Sequence, residues 1–128
     1  MKQSFVQTWK SSTQPRKQRK YRYNAPLHTA GTFLNVHLSP ELRKKYGMRS
    51  LRVRKGDTVK VVRGQHKGKS GKVDRVSTAY SRVYVSGIDL VRKDGTKTLI
   101  PLNPTNLSLI SVVTTDKKRI PQKKEDSK

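Results

Sequence analysis

Val53-Arg54-Lys55-Gly56-Asp57-Thr58-Val59-Lys60-Val61-Val62-Arg63-Gly64, continued by Gly68-Lys69-Ser70-Gly71-Lys72-Val73, is the stretch whose reading decides the fold. Valine recurs in short runs here and beyond: Val59 and Val61, Val73 and Val76, Val83 and Val85. β-Branched side chains at close to two-residue spacing predict half-buried strands. Turn residues interrupt the runs, first Gly64, Gly68 and Gly71, then Thr78–Ser81, then Lys93-Asp94-Gly95-Thr96. Asp94-Gly95 is a hairpin dipeptide, since glycine accepts the positive φ of a tight turn. Pro101 and Pro104 bracket the last turn before Leu107–Val113. About five short strands within some 60 residues predict a small barrel or rolled sheet.

Outward from this core the pattern changes. Ser39-Pro40-Glu41-Leu42-Arg43-Lys44-Lys45-Tyr46-Gly47 predicts one short helix, with Ser39 as cap, Pro40 at the first helical position and Gly47 as the left-handed stop. Leu27–Leu38 reads ambiguously, with apolar Leu27, Phe33, Leu34, Val36 and Leu38 around Gly31. Residues 1–24 offer almost nothing to bury, so this arm and the tail after Thr115 are expected to be disordered in the free protein. The chain is thus divided into a basic extension over 1–48 with a helix near 39–46, a barrel over 49–113, and a charged tail over 114–128.

Composition narrows the function. The 128 residues carry 30 Lys+Arg against 8 Asp+Glu, a formal net charge of +22, and no cysteine. The excess is +9 in residues 1–48, +10 in 49–113 and +3 in 114–128, so barrel and arm share it. A charge so one-sided attracts polyanions, and nucleic acid is the default partner. Without cysteine there are no disulfides, thiolate zinc sites or cysteine nucleophiles. No apolar run approaches the roughly 18 residues of a membrane span, and Met1–Lys10 is too polar for a signal peptide. His28, His37 and His66 are isolated, so no metal site is expected. The acids form no general acid/base pair. Asp57 is expected to bond backbone amides in a turn, and Asp74 to pair with a nearby arginine. No catalytic residue and no cofactor are assigned.

Gly64-Gln65-His66-Lys67-Gly68-Lys69-Ser70 is a near miss for a phosphate-cradling loop. That loop needs four residues between its glycines and a helix after them, whereas here there are three and a strand-like run follows. It reads better as a basic hairpin loop. Gly64, Gly68 and Gly71 would let backbone approach a partner, with Arg63, His66, Lys67, Lys69 and Lys72 directed at RNA phosphates. In the arm, Arg16, Lys17, Arg19, Lys20 and Arg22 alternate with Tyr21 and Tyr23, whose rings could stack on unpaired bases. Arg43, Lys44, Arg49, Arg52, Arg54 and Lys55 complete the predicted RNA-binding set.

The Lys-Gly-Asp turn, alternating strand, Gly-rich loop and second valine strand resemble a KOW motif. The flanks Gln14-Pro15-Arg16-Lys17-Gln18-Arg19-Lys20-Tyr21, Asn24-Ala25-Pro26-Leu27-His28 and His37-Leu38-Ser39 narrow the resemblance. With Glu41–Gly47 and Arg49-Ser50 they are similar to the KOW-type protein of the large ribosomal subunit, numbered twenty-fourth in bacteria and twenty-sixth in eukaryotes. The likeness covers Gln14 to Val113 and favours the archaeal and eukaryotic branch, the uninterrupted Lys67–Val73 loop looking archaeal. It implies a mostly β fold, an SH3-like barrel docked on large-subunit ribosomal RNA beside other ribosomal proteins of the cytoplasmic ribosome. It also implies a place near the peptide exit tunnel and a part in subunit assembly. No membrane, small-molecule substrate or homo-oligomer is expected. The rival reading is a KOW module of a transcription elongation factor that binds polymerase or nascent RNA, against which the basic arm and Asn24–His28 count.

Overall fold

Alternating valines place one edge of each strand against a common apolar interior, and the backbone follows that demand. The computed structural model describes residues 4–116 and 118–120. Among the described residues there are three α-helices, α1 (Pro15–Asn24), α2 (Leu27–Ala30) and α3 (Pro40–Tyr46). The strands are β1 (Asn35–Leu38), β2 (Ser50–Arg52), β3 (Thr58–Val61), β4 (Ser70–Ser77), β5 (Arg82–Val85), β6 (Asp89–Val91), β7 (Lys97–Leu99) and β8 (Leu107–Ser111). The chain is mostly β and barrel-like, as expected. Six strands form a sheet in the order β2-β1-β8-β3-β4-β5, and β6 and β7 pair separately as a hairpin. β1 runs parallel to β8, and the other pairs are antiparallel.

The eight-residue β4 changes partner midway. Ser70–Lys72 pair with β3, and Val73–Ser77 pair with β5. A register shift between Val73 and Arg75 resets the alternation at the change. Val73 is buried and Val76, three positions on, also packs on the core. Strict two-residue spacing would have turned Arg75 inward instead. Gly71 sits where β4 comes close to the end of β5: a Cβ there would lie 2.4 Å from the Ser86 carbonyl oxygen and 2.8 Å from Val85 Cγ1. Only glycine permits this approach.

Thirteen buried aliphatic residues form the core, from Leu34, Val36 and Leu38 through Val59, Val61, Val73, Val83 and Val85 to Leu107 and Leu109. Leu34 and β1 belong to the stretch set apart by sequence as an extension. They are inside because β1 bridges β2 and β8, which makes the sheet begin at Asn35. The helix near 39–46 forms as predicted: Ser39 Oγ accepts from the Leu42 amide at 3.4 Å, and Gly47 has φ 64°. Asp94-Gly95 turns the β6–β7 hairpin, with Gly95 at φ 80° and the Arg92 amide donating to Thr96 O at 2.9 Å.

The arm differs from the expectation of a disordered segment with one helix beyond it. Gln7–Ser11 form a 3-10 turn, Pro15–Asn24 form α1, and Leu27–Ala30 add a further turn of helix. Residues 1–3 lie outside the described residues. The tail predicted to be disordered lies mostly outside them too, at Lys117 and 121–128. Its opening residues are placed, and Arg119 among them is buried.

Candidate nucleic-acid interface

In α1, five of ten residues are cationic and none is acidic. Such a helix is too short to hold itself in water, and its neighbouring like charges oppose it. Two contacts supply the order. Tyr21 is buried between Phe5 and Phe33, with ring centroids 5.1 and 6.1 Å away. The Gln18 side-chain amide donates to the carbonyls of Trp9, Lys10 and Ser12 at 3.2, 3.0 and 2.7 Å, stapling the 3-10 turn to the helix. Residues 18 and 21 therefore define the inner face, and Arg16, Arg19, Arg22 and Tyr23 stand exposed on the other side. Lys17 and Lys20 are half-buried at its margins. Tyr21, one of the two predicted stacking rings, is thus taken by the protein itself, whereas Tyr23 is 90% exposed.

The β3–β4 loop is held by its own backbone. The Gly68 amide donates to Val61 O at 2.9 Å and the Val61 amide to Lys69 O at 2.8 Å, while Lys67 and Lys69 donate back to Gly64 and His66. Gly64 and Gly68 have φ of 98° and 90°, the left-handed region where side chains are costly, and open space surrounds both. Arg63, Lys67, Lys69 and Lys72 are exposed, and His66 is half-buried. The loop joins strand to strand, so no helix follows it as a nucleotide-binding loop requires. Gly71, grouped with these glycines by sequence, makes its close approach to Ser86 within the fold.

The remaining predicted contacts lie between arm and barrel, and three have internal partners. Arg43 donates from Nε to Leu38 O at 2.8 Å. The Arg52 guanidinium lies over Gly31, where a Cβ would fall 2.5 Å from it. Arg54 pairs with Asp116 at 2.9 Å. Lys44, Arg49 and Lys55 are exposed. Sequence also missed the buried pair at the barrel's end. Asp57 bonds a backbone amide as expected, accepting from Arg54 N at 2.8 Å, and also from Val113 N at 3.1 Å. Both its oxygens additionally receive the Arg119 guanidinium, which donates onward to Val113 O and Arg52 O at 2.8 and 3.1 Å. Arg119 lies 62 residues away in a segment with little to mark it but Ile120, so no local pattern reveals the pair.

Three of the six acids among the described residues, Asp57, Asp94 and Asp116, are engaged by partners within the molecule. Among the described residues the ion pairs are Arg119–Asp57 and Arg54–Asp116. Asp94 accepts from the Thr96 hydroxyl and amide, which hold its carboxyl below the ordinary value, and Arg54 does the same for Asp116. Asp74 joins no ion pair among these residues, contrary to expectation; its neighbour Arg75 stacks on Tyr84 at 4.3 Å. The cations of the loop and of α1 have no carboxylate partner among the described residues and project a field suited to phosphates.

A family model for the ribosomal proteins called L26 in eukaryotes and L24 in archaea matches residues 12–123. The chain belongs to this family. It is similar to the large ribosomal subunit protein uL24 of Methanocorpusculum labreanum, 49% identical over 86% of this chain and 91% of the relative. The proteins of the same name from Methanospirillum hungatei and Methanoculleus marisnigri are 50% and 51% identical, each over 84% of this chain and 90% and 89% of the relative. The match runs past Val113, where the sequence likeness had stopped, and takes in Asp116 and Arg119.

Proposed function

We propose that the chain is a structural constituent of the large subunit of the cytoplasmic ribosome, holding ribosomal RNA mainly through its phosphates and working without catalysis. One observation carries this reading: in a member of this ribosomal family, the cations of α1 and the β3–β4 loop have no carboxylate partner among the described residues. Each phosphate contact releases counterions, so affinity comes from many modest contacts rather than one pocket. The barrel offers a loop whose shape is set before binding, and the arm offers a helix of cations beside it. The family resemblance supports a position near the outer end of the exit tunnel among neighbouring ribosomal proteins, and a part in assembling the subunit. Arg16, Lys17, Arg19, Lys20 and Arg22 with Arg63, Lys67, Lys69 and Lys72 are the foremost contacts; Arg43 and Arg54 share that role with internal bonds, and Arg52 with its packing over Gly31.

Sedimentation tests the assignment. The tagged chain should travel with large subunits and stay there through a high-salt wash. Recovery with RNA polymerase instead of subunits would replace this reading with that of an elongation-factor module.

A further inference from the structure

Tyr21 and Tyr23 are two residues apart on α1, about 200° around the helix. With Tyr21 locked between Phe5 and Phe33, Tyr23 must face away from that cluster. It lines a groove of about 1160 Å³ between α1–α2 and the turn joining β4 to β5. Across the groove stands that turn, Thr78–Ser81, closed by the Ser81 amide on Thr78 O at 3.3 Å, with Ser81 at φ 51°. Its Tyr80 is 79% exposed, against 90% for Tyr23. Phe33 lines the groove too, with the Arg22 guanidinium 5.3 Å from its ring centre. Arg19 and Lys20 complete the basic lining, and among the described residues no acid takes part.

Two tyrosines left in water contribute nothing to the core, so their placement on opposite sides of a basic trough calls for a partner. We propose that this groove takes an unpaired stretch of RNA, its bases laid against Tyr23 and Tyr80 and its phosphates met by Arg19, Lys20 and Arg22. The inference rests on the RNA-binding reading and adds the class of RNA at this site. A π-face accepts any base, and stacking requires that the base be free of a duplex. A duplex would present phosphates to the cations but leave both rings idle. A protein strand would need acidic side chains to match this lining, whereas RNA brings charge and flat rings together. The trough exceeds the roughly 300–1,000 Å³ of a small-molecule pocket, which suits a chain.

The test compares the full-length protein binding labelled single-stranded oligouridylate and an RNA duplex of equal length, at the same salt. Tyr80→Ala and Tyr23→Ala should each weaken single-strand binding by about tenfold, leave duplex binding within about twofold, and be rescued by Tyr→Phe, since the ring rather than the hydroxyl does the stacking. Both side chains are exposed, and an unchanged melting temperature checks that the variants fold. Equal losses on both RNAs, or none on either, overturn the proposal, as would a crosslink from Tyr80 to a neighbouring protein in the assembled subunit. Failure of the wild-type chain to bind either RNA would overturn the broader RNA-binding reading instead.

Discussion

In the barrel, thirteen aliphatic side chains share one cluster and strands from Asn35 to Ser111 close over it; in α1, half the residues are cations and a single ring, Tyr21, is buried. The same charge density has different consequences in the two regions. Barrel cations ride on strands and loops whose order comes from apolar burial beneath them, worth about 25 cal/mol for each Å² removed from water. Arm cations sit on a helix whose order hangs on one aromatic cluster and one glutamine. On the RNA-binding proposal, the barrel would bring a preformed surface to RNA, while the arm's geometry would be reinforced when phosphates remove the repulsion among its charges.

The largest effect should come from breaking the buried pair that ties the tail to the barrel. Asp57→Ala leaves Arg119 charged in an apolar setting, and Arg119→Ala does the converse; each should cost about 3–5 kcal/mol in urea unfolding. A loss below about 1 kcal/mol would mean the tail is not docked and Asp57 serves its turn alone. Next, Gly71→Val drives a side chain into the Ser86 carbonyl and should cost at least about 1–3 kcal/mol as overpacking. Gly68→Val meets open space and suffers only from its positive φ, about 1–2 kcal/mol. Equal stabilities for the two variants would contradict the distinction between a packing glycine and a turn glycine.

Tyr21→Ala should separate the regions. Helical circular dichroism from the arm is lost, while the barrel's melting temperature changes little. A matching fall in both would show that arm and barrel fold as one unit. The smallest effect belongs to Asp116→Asn, because Arg54–Asp116 is exposed and such pairs are weak. Its carboxyl is held below its ordinary value, so whatever the contact adds is present at neutral pH and fades as pH falls through the carboxylate range. A stability loss as large as that of Asp57→Ala would overturn this ranking.

The barrel was legible in the sequence because its determinants are local: Val59 and Val61, Ser39 with Pro40 and Gly47, Asp94-Gly95. Each states its structure within a few residues. What escaped depends on distance. Tyr21 reads as one more residue of a basic run until Phe5 and Phe33 are beside it. Leu34 and β1 read as part of the basic extension until β8, some 70 residues later, supplies a partner. Gly71 reads like Gly68, since only Ser86 distinguishes them. Among the predicted contacts, charge marked out the candidate RNA-facing set, but it could not tell that Arg43 and Arg54 also bond the protein itself or that Arg52 packs over Gly31.

The central claim is that arm and barrel hold RNA phosphates simultaneously. It is tested most directly by the salt dependence of binding to a large-subunit RNA fragment. The slope of log affinity against log salt should be compared for the wild type and for a variant with Arg16, Lys17, Arg19, Lys20 and Arg22 all changed to glutamine, a residue that keeps the helix. At roughly 0.7–0.9 for each phosphate no longer neutralised, the slope should become shallower by about four yet remain well above zero from the barrel's share. An unchanged slope would contradict the account by showing that the arm touches no phosphate, and a slope reduced to zero would show that the barrel does not.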